Sequence, residues 1–256
     1  MKVMKVMKVI WLFLLMMLSL NVWGERRCEV TAKVGLAAEW PPLVIYQGQH
    51  TTGLDVEIAR LVFNDAAICL EFKRLPSSAR SLTEMEKGEI DLALMTSFTE
   101  ERAKYGEFSI PYRLEKMRLF TSHAALSDTS LSQALERGYN IGVSIGSYYG
   151  EEFEAIRGGE YQTAVVEVAS AKRRAQLLML GRLDLIIEDE ITGRYLFAQS
   201  KKPIFMSDYP VHDNGVHFIW RKGFFTVEQI AAINTAIVAR KTAIASLLAQ
   251  YQSGKL

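Results

Sequence analysis

The sequence predicts an α/β protein of two lobes, in which each lobe is a mostly parallel sheet flanked by helices and a two-segment hinge joins the lobes. Two observations predict this class: short apolar runs alternate with helical patterns, and the alternation occurs in two separate stretches of the chain. A third is that no segment rich in proline, glycine or serine separates the stretches, which favours two short connections over independent domains.

The first stretch has the order β-α-β-α-β, which predicts a parallel sheet covered by helices. Its first helix is indicated by Leu54, Ile58 and Leu61, which follow the i, i+4, i+7 spacing of a half-buried helix. Its second helix is closed by Gly88, a residue type that commonly follows helix ends. The other elements are strand Val30–Leu36, strand Cys69–Leu75, helix Ala79–Lys87 and strand Ile90–Leu94.

The second stretch begins after residue 120 and repeats the alternation. Two β/α units in series predict a cleft between two lobes, and such clefts are the usual binding sites of small ligands. The predicted elements are helix Leu131–Arg137, strand Ile141–Ser144, helix Tyr148–Ile156, strand Ala164–Val168, helix Ala171–Leu180, strand Leu183–Ile187 and helix Ile191–Ala198.

The C-terminal part returns to a strand, Val216–Trp220, and to one long helix, Val227–Gln250. We expect this return to pack on the first lobe. Lobe 1 then comprises residues 25–115 and 215–256, and lobe 2 comprises residues 116–214. Two crossovers, near Pro111–Phe120 and Asp208–His217, form the hinge.

Residues 1–24 have the features of a cleaved secretory signal. Lys2, Lys5 and Lys8 precede an apolar run, Val9–Leu20. A membrane anchor is the alternative, but this run is shorter than the roughly 20 residues that span a bilayer. We therefore expect a monomer in the periplasm of a Gram-negative bacterium, with no membrane span once the signal is removed.

Composition excludes several classes of function. The chain has 256 residues, 49% of them hydrophobic and 23% charged, with a formal net charge of +1. Such a chain has no basic footprint for nucleic acid. Its four histidines and two cysteines lack metal-ligand or redox spacing, so we expect no metal and no cofactor. Cys28 and Cys69 each begin a predicted strand; they either form a disulfide in an oxidising compartment or are two small buried side chains.

Four blocks, in order, resemble the bacterial extracellular solute-binding proteins of family 3, the polar-amino-acid type that feeds ABC importers. The blocks are Gly53–Leu61, Gly88–Leu94, Thr99–Tyr112 and Gly181–Asp189. The resemblance covers nearly the whole chain after residue 24. It implies the type II periplasmic binding fold, whose two lobes close around a solute.

The resemblance also implies a ligand site. In that family an arginine in the block of Arg102 clamps the ligand's α-carboxylate, and a guanidinium offers carboxylates a planar fork of donors. Ser97 takes the place of a hydroxyl residue that helps to bind the amino acid, and Asp189 that of an aspartate that pairs with the α-ammonium. The alternatives are a surface ion pair of Arg102 with Glu100 or Glu101, and a helix N-cap at Asp189.

Further ligand contacts follow from the same resemblance. The turn Gly146-Ser147-Tyr148 resembles a glycine-hydroxyl turn whose backbone N–H groups, at a helix start, receive the carboxylate. Trp40 matches an aromatic position that packs on the ligand; a core tryptophan is the alternative. Met95 is a further predicted contact. Arg80 either contacts a second acidic group of the ligand or belongs to a solvated helix face.

Two other classes of function stay open. An enzyme is one: residues 142–146 match the G-x-S-x-G motif of hydrolases with Ser144 as nucleophile, His212 and His217 follow, and a dehydratase on the same scaffold would need an acid or base such as Glu39. A sensing module that reports to a separate partner is the other. We expect a non-catalytic receptor for a small polar solute, with an ABC permease as partner. Ala37 stands where binders of basic amino acids carry an acid, which argues against lysine or arginine as the ligand.

Overall fold

The computed structural model describes residues 28–37 and 39–253 of the chain. The predicted signal, residues 1–24, lies outside these described residues. Within them, no individual helix has both the length and the apolar character to cross a membrane, and only a bent pair of helices near the C-terminus reaches both together.

The first part of the chain forms the predicted alternation of strands and helices. β1 pairs in parallel with β4 and with β5, which confirms the predicted β-α-β-α-β sheet. A small antiparallel hairpin of β2 and β3 is an element that the sequence analysis does not predict. The elements are β1 (Val30–Leu36), β2 (Ile45–Gln47), β3 (His50–Thr52), α1 (Leu54–Asp65), β4 (Ile68–Arg74), α2 (Ser78–Glu86), β5 (Leu92–Ser97), α3 (Glu100–Ala103) and β6 (Gly106–Phe108).

The second part repeats the pattern, with β8 parallel to both β9 and β10. β7 closes this half by pairing antiparallel to β10. The elements are β7 (Arg113–Thr121), α4 (Leu131–Glu136), β8 (Ile141–Val143), α5 (Glu151–Arg157), β9 (Val165–Glu167), α6 (Ala171–Met179), β10 (Leu185–Asp189), α7 (Glu190–Phe197), β11 (Phe205–Arg221), α8 (Val227–Ala239) and α9 (Lys241–Gln252).

β7 and β11 connect the two lobes. The strands follow the order β4-β1-β5-β11-β7-β10-β8-β9, with β6 on β11. β11 is 17 residues long; its end pairs antiparallel to β5, and its earlier part pairs antiparallel to β7. The predicted short strand Val216–Trp220 is therefore the end of a much longer one, and both hinge crossovers are paired strands. The predicted lobe boundaries, 25–115 with 215–256 and 116–214, stay a prediction.

Two main apolar cores lie on the two halves of this sheet. The first contains Val34 of β1, Phe63 of α1 and Ile233 of α8. The second contains Ile141 of β8 and Phe153 of α5. Since the first core includes residues from both ends of the chain, the C-terminal helices pack where the sequence predicts them.

The predicted single helix Val227–Gln250 is wrong in one respect. The helix is interrupted at Arg240, and α8 and α9 are bent by 60° relative to each other. Arg240 forks onto Asp65 at the end of α1, with Nε–Oδ2 at 2.6 Å and Nη2–Oδ1 at 2.8 Å. The bend lets both helices contact α1.

Cys28 and Cys69 form a disulfide in the structure, with their Cα atoms 5.5 Å apart. The bond ties the segment before β1 to β4, its parallel neighbour.

Candidate functional site

A cavity lies where the two lobes meet, at the C-terminal ends of β1 and β5. Its volume is about 50 Å³. Six of the predicted ligand contacts line it: Trp40, Met95, Ser97, Arg102, Ser147 and Tyr148. Asp189 and Arg80, also predicted, are not among the lining residues.

A bulge at the end of β5 shapes one wall of the cavity. Ala93 pairs with Ile219 and Thr96 with His217, so Leu94 and Met95 face a single residue of β11. Met95 has a φ of 52°, a left-handed conformation that is uncommon for a side chain of this size. Its amide donates to the Tyr112 hydroxyl at 3.0 Å. The bulge brings both residues to the cavity.

Arg102 is the cation of the cavity. Thr99 caps α3 by accepting the Arg102 amide at 3.2 Å, which fixes where this arginine leaves the backbone. Its guanidinium donates to the carbonyl of Ser97 at 2.8 Å and to that of Gly146, in lobe 2, at 3.2 Å. Among the described residues it has no acidic partner within 4.0 Å, and its burial lowers its pKa. The remaining N–H groups of its five are available to a ligand carboxylate.

Gly146 is where the turn of lobe 2 meets lobe 1. Its φ is +80°, and a Cβ at this position would lie 2.5 Å from the backbone N of Ala79 at the start of α2. Only glycine permits this approach. The helix predicted from Tyr148 begins instead at Glu151, after Gly150, so Ser147 and Tyr148 lie in the turn before the helix. The prediction that the backbone N–H groups of Ser147 and Tyr148 lie at a helix start is therefore wrong.

Trp40 contacts both lobes. It follows β1 in lobe 1, yet it belongs to the apolar core of lobe 2. Its indole N–H donates to Glu188 Oε2 at 3.0 Å, and Arg174 Nε donates to Oε1 of the same carboxylate at 2.6 Å. The Arg174 guanidinium also lies 5.6 Å from the centre of the Trp40 ring. Trp40 therefore lines the cavity and fastens one lobe to the other.

Glu115 of β7 also lines the cavity, and the sequence analysis does not predict it. Its side chain is buried, and among the described residues it has no hydrogen bond or ion pair within 4.0 Å. Burial raises its pKa to about 8, although Arg113 and Arg102 act in the opposite direction. Ionising a buried carboxyl group is costly unless the resulting charge is paired. A cation bound beside Glu115 would provide that pairing.

The carboxylate of Asp189 already has protein hydrogen-bond partners. Its Oδ2 accepts from Arg113 Nη1 at 3.2 Å, and its Oδ1 caps α7 by accepting the Ile191 amide at 2.8 Å. Arg113 in turn forks onto Asp55 of α1, with Nε–Oδ1 at 2.8 Å and Nη2–Oδ2 at 3.0 Å. This buried triad joins the two lobes at the hinge. The predicted ammonium contact of Asp189 stays a prediction.

The other predicted reactive residues lie apart from one another. Arg80 is half exposed and pairs with Glu84 at 3.0 Å. In the described part of the chain, no histidine lies within hydrogen-bonding distance of the Ser144 hydroxyl: His217 contacts the carbonyl of Ser109, and His212 packs on Tyr148. Glu39 pairs with Lys172 at 2.9 Å. Residues 28–37 and 39–253 contain no group of three or more histidine, cysteine or acidic side chains placed to hold a metal ion.

Comparison with known proteins places this geometry in a family. The sequence model of the bacterial extracellular solute-binding proteins, family 3, matches residues 32–251. The chain belongs to this family. The predicted family is therefore confirmed.

Similar proteins include both transport and sensor proteins. A probable histidine-binding protein of Campylobacter jejuni is 24% identical to this family 3 protein over 202 residues, 77% of this chain and 74% of that protein. Among solved structures, an amino acid ABC transporter substrate-binding protein, AbpA from Streptococcus pneumoniae, bound to L-arginine, has a TM-score of 0.72 at 20% identity, covering 87% of this chain and 94% of that one. A histidine kinase sensor domain with similarity to periplasmic binding proteins has a TM-score of 0.72 at 18% identity, covering 88% and 96%. These likenesses confirm the type II periplasmic binding fold.

The sequence of this family 3 protein contains a signal for the residues that the prediction misses. Arg113, Glu115 and Met117 alternate along β7, and all three are buried on one face of the strand. Two charged side chains on the buried face of a strand indicate a polar site or a buried ion pair. β7 carries both: Glu115 lines the cavity, and Arg113 forms buried ion pairs with Asp55 and Asp189.

Proposed function

We propose that this family 3 protein is a non-catalytic receptor whose lobes close around a small amino-acid-like solute, with Arg102 receiving the solute's carboxylate. The observation that carries the proposal is the partly buried guanidinium of Arg102, which contacts a carbonyl of each lobe and has no acidic partner among the described residues. A carboxylate at that point would form charge-assisted hydrogen bonds with a guanidinium that contacts both lobes, which favours closure.

The other predicted contacts that line the cavity complete the proposed site. Ser97, Ser147 and Tyr148 line the cavity together with Arg102, and Trp40 and Met95 belong to its apolar wall. Asp189 and Arg80 are left out of the proposed contacts, because each holds another partner outside the cavity lining.

The test is a thermal-shift screen of amino acids, amines and small carboxylates, followed by calorimetry of the best compound. Arg102→Ala should weaken its binding by at least about 30-fold, since removing one partner of a buried charge pair costs about 2 kcal/mol or more. Arg80→Ala is the matched control, a half-exposed arginine that pairs outside the cavity, and should leave affinity unchanged. Equal binding by the parent and Arg102→Ala would contradict the proposal.

We further propose that residues 1–24 are a signal that directs the chain to the periplasm of a Gram-negative bacterium. There it acts as a monomer that delivers its solute to an ABC permease. The signal-like N-terminus and the relatives named for solute binding support this assignment. Cell fractionation with mass spectrometry of the mature N-terminus tests the location, and solute uptake by cells that lack the gene tests the delivery.

A sensing role is the second candidate, and the likeness to a histidine kinase sensor domain favours it. In that case deletion of the gene would leave uptake intact, while solute-dependent transcription would be lost. The uptake assay therefore separates the two candidates.

A further inference from the structure

The charge inventory of the cavity is small. Among the described residues that line the cavity, Arg102 is the only basic side chain and Glu115 the only carboxylic acid. The rest of the wall is apolar or uncharged, with Leu36, Leu82 and Met117 among its members. One cation and one acid face a space of about 50 Å³.

The acid of this pair is available to a ligand. Glu115 is buried, and it makes no hydrogen bond or ion pair with a described residue. The neighbouring cation, Arg113, is already engaged by two carboxylates, Asp55 and Asp189. The family resemblance assigns the ammonium contact to Asp189. Both carboxylate oxygens of Asp189 already accept hydrogen bonds, one from Arg113 and one from the Ile191 amide.

We propose that Glu115 receives the ammonium group of the ligand, and that the site therefore selects compact solutes with one ammonium, one carboxylate and an uncharged side chain. This inference rests on the proposed function, because it takes the carboxylate to bind Arg102. The carboxylate of such a solute then meets Arg102 and its ammonium meets Glu115, the one basic and the one acidic side chain among the described lining residues.

Amino acids whose side chain is also charged are poorly accommodated by this cavity lining. A basic side chain would need a second acid, and an acidic one a second cation, but the described lining offers neither. A charge buried against apolar side chains without a partner is strongly disfavoured. The neutral lining at Ala37 agrees with this exclusion.

The test compares Glu115→Gln with the parent by calorimetry, using L-alanine, L-valine, L-arginine, L-glutamate and L-lactate as probes. L-lactate carries a hydroxyl where L-alanine carries its ammonium. The parent should bind a neutral amino acid at least tenfold more tightly than the charged ones and than L-lactate. Glu115→Gln should weaken the neutral amino acid by at least about 30-fold and change L-lactate by less than about threefold, as expected when one partner of a buried charge pair is removed.

Two controls make the result specific. Glu190→Gln removes an acid that pairs with Arg194 within α7 of lobe 2, outside the cavity, and should leave all affinities unchanged. Binding of an ammonium that ionises Glu115 releases a proton, so the binding heat of the parent at pH 7 should depend on the ionisation enthalpy of the buffer. This second readout needs no variant, and it serves even if Glu115→Gln fails to fold.

Several outcomes would overturn the inference. It fails if Glu115→Gln binds the neutral amino acid like the parent, if L-arginine or L-glutamate is the preferred probe, or if none of the probes with an ammonium binds. A loss of binding in Arg102→Ala together with unchanged binding in Glu115→Gln would overturn this inference alone and leave the proposed function standing.

Discussion

The indole N–H of Trp40, which follows the first strand of lobe 1, donates to the buried carboxylate of Glu188 in lobe 2 at 3.0 Å. The bond crosses the gap between the lobes and is independent of the charges at Arg102. Trp40 therefore links the two lobes by a hydrogen bond and also lines the cavity.

Replacing Trp40 by phenylalanine should therefore weaken ligand binding. The ring still packs, but closure loses a hydrogen bond to a charged group, worth about 1.5–3 kcal/mol. We expect affinity for the screened ligand to fall at least about fivefold. Trp220→Phe is the matched control: it removes a similar indole bond, to Glu107 at 3.1 Å, within lobe 1. It should lower stability in urea without changing affinity; a similar affinity loss in both variants would refute the fastening role.

Gly146→Ala should hinder closure. A Cβ there would lie 2.5 Å from Ala79 N, across the lobe interface. Gly138→Ala is a close control, because Gly138 has nearly the same φ, +81° against +80°, but nothing within 4 Å of its added Cβ. Both variants should lose about 1 kcal/mol of stability from backbone strain, while only Gly146→Ala should lose ligand affinity, by at least about tenfold. Calorimetry and urea melts check this.

Arg113→Met should be among the most destabilising single changes. It leaves Asp55 and Asp189 buried without their cation, a situation that costs about 3–5 kcal/mol. Arg118→Met provides the comparison on the same strand: Arg118 pairs with Asp213 at the surface, with Nη2–Oδ2 at 3.0 Å, and should lose at most about 1 kcal/mol. Equal free energies of unfolding for the two variants would contradict the assigned role of the hinge triad.

The contribution of Glu115 to stability should fall as the pH rises from about 4.5 to about 8. Burial raises the pKa of Glu115 from 4.5 to about 8, while Arg113, Asp189, Asp55 and Arg102 are the charged groups that act on it. Between these two values the folded chain binds more protons at this position than the unfolded chain, so raising the pH favours unfolding.

The neutral variant Glu115→Gln isolates this contribution. Without ligand, it should melt at least about 2 °C above the parent at pH 8, the shift that about 1 kcal/mol gives in a domain of this size. The difference should disappear at pH 4.5. Parallel melting curves over the whole range would show that Glu115 does not titrate as described.

The strand and helix order could be predicted because apolar periodicity along each segment reflects the burial of that segment alone. The resemblance of its block to family 3 indicated Arg102, which lines the cavity, and Thr99 caps the short helix that carries it. The role of Glu115 depends on which face of β7 meets the cavity, and pairing with the distant β10 and β11 decides that face. The bend at Arg240 depends on Asp65, 175 residues away, while apolar residues continue on both sides of it.

The apolar core that joins Val34 to Ile233 and Ile244 has a consequence for how the polypeptide matures. The Tyr251 hydroxyl donates to Glu57 Oε1 at 2.6 Å, so one of the last described residues helps to seat the first helix. The half built around Ile141 is assembled mainly from neighbouring segments, and such local contacts form quickly. The core around Val34 includes residues of the C-terminal helices, so it can form completely only after that part of the polypeptide has been synthesised. We expect a nascent or truncated polypeptide to have an ordered second lobe and an incompletely folded first lobe.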